Sequence, residues 1–91
     1  MEHLVTKFLK ENNIIDFPED YISINKINIT KGTVVVSGNR LGLIQLADYI
    51  VELALSKENR SHTHLDEGNF FENTEDQLIV ELDESLTPEL T

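Results

Sequence analysis

Between Ser61 and Leu82, the run SHTHLDEGNFFENTEDQLIVEL concentrates the residue types that could do chemistry. In an extended strand His62, His64 and Asp66 fall on one side, with Thr63 and Leu65 on the other. Two imidazoles and a carboxylate on one face are a partial ligand set for zinc or another divalent ion. One strand does not complete such a set and the sequence points to no further ligand, so neither a metal nor a cofactor is expected. The competing reading sends Leu65 into the core and leaves the histidines on an open sheet face.

Downstream, Phe70 and Phe71 sit among Asp66, Glu67, Glu72, Glu75 and Asp76. Aromatic anchors ringed by carboxylates suit a basic protein surface, the rings giving desolvated area and the charges speeding encounter. Alternatively, one or both rings fold back over the core. Acid–base groups are present, but no nucleophile elbow, zinc-protease helix or facing carboxylate pair accompanies them. No catalytic residue is assigned, and the chain is not expected to be an enzyme. The segment Ser37-Gly38-Asn39-Arg40-Leu41-Gly42 lacks the Gly-Lys-Ser/Thr ending of a phosphate loop and the triple-glycine dinucleotide spacing. A strand end and a helix cap explain it better.

Charge is distributed unevenly. Residues 1–60 hold eight carboxylates and all seven Lys and Arg, whereas residues 61–91 hold nine carboxylates and no Lys or Arg, within a net charge of −10. Phosphate contacts need a basic surface, so nucleic acid is disfavoured and a basic protein partner favoured. Acidic surface for its own sake, as a solubility device, is the plainer alternative.

The elements that must position these residues follow from periodicity. Leu4, Val5, Phe8 and Leu9 at helical spacing predict an amphipathic helix ending near Asn12-Asn13. Ile22, Ile24, Ile27 and Ile29 alternate with polar residues, but the phase slips at Asn25-Lys26, which predicts a bulge or a strand beginning near Ile27. Thr30-Lys31-Gly32 then turns the chain into the β-branched strand TVVVS. A helix over roughly Leu41 to Ser56, capped by Asn39 or Ser37, carries a broad apolar arc of Leu43, Leu46, Ala47, Ile50 and Ala54. Strands over Ser61–Leu65 and Leu78–Leu82 flank the long acidic connection, and loops of that length are often functional.

The order α-β-β-α-β-β predicts an α+β fold: a mainly antiparallel four-stranded sheet with two helices packed on one face. At 91 residues the chain suits a single domain over 1–91, with a frayed tail from about residue 85. With no cysteine, disulfides and thiolate sites are excluded. The most apolar stretch, Leu41 to Leu55, is too short for a membrane span and is broken by Gln45, Asp48 and Glu52. The amphipathic start, with Glu2 and Glu11, matches neither a secretory signal nor a transit peptide, so the expected location is the cytoplasm.

Three motifs together resemble a known family: Ser37-Gly38-Asn39, then Leu41-Gly42-Leu43 with Leu46-Ala47, then Ser61-His62-Thr63-His64-Leu65-Asp66-Glu67. This pattern, over about residues 33 to 82, is similar to the immunity protein 32 family of bacterial polymorphic toxin systems. The resemblance implies a small cytoplasmic protein that binds and neutralises a cognate toxin, with no catalytic role for the histidines. A basic toxin would agree with the charge. The surface expected to meet it comprises His62, His64, Asp66, Glu67, Phe70, Phe71, Glu72, Glu75 and Asp76. A small metal-binding or histidine-dependent domain, or a homodimer burying its open sheet face, are the alternatives.

Overall fold

The computed structural model describes residues 3–86. Helix α1 spans Leu4–Glu11, strands β1 and β2 span Asn25–Thr30 and Thr33–Gly38, helix α2 spans Arg40–Ala54, and strands β3 and β4 span His62–Leu65 and Leu78–Glu81. The class is α+β, in the order expected. The expected four-stranded sheet is replaced by two separate antiparallel pairs, β1–β2 and β3–β4. Their separation has a local cause. The loop between β3 and β4 comes back to the outer edge of β1, where Phe71 forms a single parallel bridge with Asn25 and the Glu72 N–H donates to the Asn25 carbonyl at 2.8 Å. The loop thereby takes the position on that edge that another strand would need.

The β1–β2 hairpin closes through Lys31 and Gly32, both at positive φ (48° and 81°), as a two-residue turn of matching twist requires. Asn39 caps α2: its Oδ1 accepts from the Gly42 N–H at 2.8 Å, while its Nδ2 donates to the Ile22 carbonyl, also at 2.8 Å. One side chain therefore sets the helix start and ties down the segment entering β1. The slipped isoleucine phase resolves ahead of the strand, with Ile22 and Ile24 exposed and the Ile24 carbonyl accepting from the Asn39 N–H at 3.1 Å. The strand begins at Asn25, and Asn25 and Ile27 are the inward positions.

Helix α1 ends with Asn13 at φ 57°, its N–H bonded to the Lys10 carbonyl and that of Ile14 to the Leu9 carbonyl. That pairing satisfies two of the last carbonyls of the helix. α1 packs on α2 as an outer layer, and α2 in turn meets β2 and β3, so the two helices do not lie side by side on one sheet. The core is Ile27, Leu65 and Phe71, with Val36, Leu46, Tyr49, Phe70 and Leu78 packed against it. Leu43 and Ile50, read as core positions of α2, are exposed, and the side chain that α2 buries completely is Asp48. The expected tail begins with a short 3₁₀ turn, Glu84–Leu86, held by the Glu84 N–H on Asn59 Oδ1 at 2.9 Å, and otherwise lies outside the described residues. Among the described residues no helix is long and apolar enough to cross a membrane.

Candidate functional site

Strand β3 pairs with β4 in the register His62↔Glu81, Thr63↔Val80, His64↔Ile79 and Leu65↔Leu78. Period-two alternation then sorts the eight side chains. Thr63, Leu65, Leu78 and Val80 face inward, with Leu65 fully buried, and His62, His64, Ile79 and Glu81 form the outer face. The two imidazoles stand edge to face with ring centroids 4.9 Å apart. In the tautomer protonated at Nδ1, His62 donates to the Arg60 carbonyl at 3.3 Å. Ile79 was not singled out from the sequence. The signal was its position in β4, where the alternation that sends Leu78 inward turns an isoleucine to solvent at 51 % exposure.

Below this face Arg60 and Ser61 together oppose Leu82 in a bulged end to the ladder, the Arg60 N–H donating to the Leu82 carbonyl at 2.9 Å and the Leu82 N–H to the Ser61 carbonyl at 2.8 Å. The Arg60 guanidinium reaches both Glu81, at 3.3 Å, and Asp83, at 3.0 Å. The Asp83 carboxyl also accepts from the Ser85 hydroxyl and N–H. These bonds, the Ser85 hydroxyl foremost and Arg60 after it, lower its pKa below the ordinary carboxylate value.

The acidic loop is folded by its own polar groups. The Asp66 carbonyl accepts from the N–H groups of Asn69, Phe70 and Phe71 at 3.3, 2.9 and 2.8 Å, and its Oδ1 accepts from the Gly68 N–H at 2.9 Å. The Asn69 amide bridges back across β3, accepting from the Asp66 N–H at 2.9 Å and donating to the His64 carbonyl at 2.7 Å. Farther along, the Asp76 N–H donates to the Thr74 hydroxyl at 2.9 Å. Asp66 is therefore a turn-forming residue whose carboxylate is engaged locally.

The two phenylalanines take the core reading. Phe71 is 2 % exposed and belongs to the core, so its ring is not available to a partner. Phe70 is half-buried, packed edge-on against Phe71 at 5.0 Å and against Tyr49 of α2 at 5.7 Å. These rings fasten the loop from beneath. Its outward side is left to Glu67, Glu72 and Glu75, all exposed, while Asp66 and Asp76 are half-buried. The structure thus joins His62, His64, Ile79 and Glu81 on one sheet face and displays three glutamates on the adjoining loop. It withdraws Phe71 inward. Among the described residues no group of three His, Asp or Glu side chains converges as a metal site would require.

Compared with known proteins, the chain matches the family model of immunity protein 32 over residues 33–83, more than half its length, from β2 through Asp83. No curated protein and no solved structure matches it.

Proposed function

The chain belongs to the immunity protein 32 family, and from that premise we propose that it neutralises a cognate toxin by binding it. Family membership is the observation that carries the reading. The contact surface in this proposal is the outer face of β3–β4 together with the exposed side of the acidic loop. The pairs His62–Glu81 and His64–Ile79 present imidazole and apolar area, and Glu67, Glu72 and Glu75 present negative charge to a basic partner. Because the loop is clamped to β1 and α2 by Phe71 and Phe70, the backbone that carries these glutamates is in place before the partner arrives. Such preorganisation lowers the ordering cost of binding. The protein acts by occupying the toxin's surface and not by catalysis.

Co-expression with the product of the adjacent gene, the toxin in this proposal, is the direct test. The expected outcome is restored growth and a complex that survives purification. Continued growth arrest, with the two proteins eluting separately, would overturn the proposal.

A further inference from the structure

Among the described residues strand β2 is hydrogen-bonded along one edge. Among the described residues it pairs with β1 alone, and the bridge to Phe71 lies on the far edge of β1. The two-residue turn makes Thr30 and Thr33 a hydrogen-bonded pair, so along the register Asn28↔Val35 and Lys26↔Ser37 are hydrogen-bonded as well. It follows that the N–H and C=O groups of Val34 and Val36 point away from β1, along the free edge. Natural proteins protect such edges with charge, proline or a bulge. The sequence Thr33-Val34-Val35-Val36-Ser37 has none of these.

The faces of the hairpin tell the same story. Ile27 and Val36 sit at the core, but the next pair on that face, Ile29 and Val34, is 45 % and 50 % exposed, and Val35 on the opposite face is 50 % exposed. The apolar stripe therefore runs off the end of the core.

We propose that the free edge of β2 pairs with the β2 edge of a second copy, antiparallel about a two-fold axis at Val35. Residue 34 of each copy then lies opposite residue 36 of the other, and both present their outward N–H and C=O groups, so the bonds close without any change in the hairpin. The same register lays Ile29, Val34, the partner's Val36 and the partner's Ile27 in one row across a continuous four-stranded sheet, extending each core over the other's exposed pair. Residues 21–47 contain Lys26, Lys31 and Arg40 and no carboxylate, in a chain whose net charge is −10, so two copies meet along this edge without bringing carboxylates face to face.

Sedimentation of the full chain at micromolar concentration is expected to give twice the 10.4 kDa chain mass. Val34→Pro removes only an outward-facing N–H, which an edge strand tolerates, and is expected to yield a folded monomer by circular dichroism. The chain has no cysteine, so Val35→Cys is a clean reporter: across the axis the two Cα atoms stand about 4.5 Å apart, within disulfide reach. Rapid oxidation to a covalent dimer is expected for Val35→Cys and not for Leu55→Cys at the C-cap of α2. A wild-type monomer, or a dimer that persists in Val34→Pro and leaves Val35→Cys unlinked, would overturn the proposal. So would a β2 edge protected from amide exchange only when toxin is bound.

Discussion

Asp48 of α2 caps α1 through Thr6: one carboxylate oxygen accepts from the Val5 and Thr6 N–H groups at 2.7 and 3.0 Å, and the other accepts from the Thr6 hydroxyl. Helix α1 has no side-chain cap of its own, since His3 at that position makes no cap hydrogen bond. A residue more than forty positions away therefore supplies it, fully buried between the helices. Asp48→Ala is expected to destabilise the protein by about 1–3 kcal/mol, combining a lost cap with donors left unsatisfied. Urea unfolding reads the loss, and amide exchange should locate it in residues 4–11. A change confined to α2 would contradict the capping role.

This relationship also shows where the sequence stopped being legible. The Lys31-Gly32 turn, the Asn39 cap and the inward Leu65 could be read in advance because each depends on neighbours within a few positions. Asp48 read as a polar break in an apolar helix, because its partners, two backbone N–H groups and the Thr6 hydroxyl, lie more than forty positions away. The sheet was misjudged for a related reason. Strand pairing is non-local, and the residue that closes the β1 edge is Phe71, whose ring takes the inward of the two positions that the sequence left open. The outward placement of the histidines and the acidity of the loop were legible because strand alternation and charge are local properties.

Asn25 fills a narrow gap between the end of β2 and the first turn of α2. A Cβ at Gly38 would come within 2.3 Å of its Oδ1. One at Gly42 would lie 2.6 Å from that atom and 2.7 Å from the Ile24 carbonyl oxygen. Either glycine to alanine is expected to cost about 1–3 kcal/mol. Adding Asn25→Ala should recover most of the loss in Gly38→Ala and little in Gly42→Ala, where the backbone obstacle remains. A double-mutant cycle by chemical denaturation checks this, and equal recovery at both sites would refute it.

Of the two rings in the loop, Phe71 carries the stability. Phe71→Ala is expected to lose about 3–5 kcal/mol, a large share of the total for a chain this size. Phe70→Ala, half-buried against Tyr49, should lose less. Thermal unfolding of the two variants should rank them in that order, and the reverse order would mean that Phe70 is the anchor.

The Asp83 carboxyl, held below its ordinary value of 3.8 chiefly by the Ser85 hydroxyl and then by the Ser85 N–H and Arg60, gives a pH dependence of known sign. A lowered folded-state pKa favours the folded state above the unfolded value, and the benefit disappears as pH falls through the folded value. Carboxyl NMR titration should therefore find Asp83 below 3.8 and moved upward in Ser85→Ala. An unchanged titration in that variant would remove the hydroxyl as the main cause.

The proposed toxin contact rests on the three exposed glutamates of the loop. The triple reversal Glu67→Lys, Glu72→Lys, Glu75→Lys leaves the buried clamp of Phe71 intact, so its circular dichroism should match the wild type. Calorimetric titration of the cognate toxin with wild-type and reversed protein, at low and at physiological salt, measures the central claim most directly. The expected result is an affinity loss of about a hundredfold at low salt, with a flatter salt dependence in the variant. Equal affinities and equal salt slopes would contradict it.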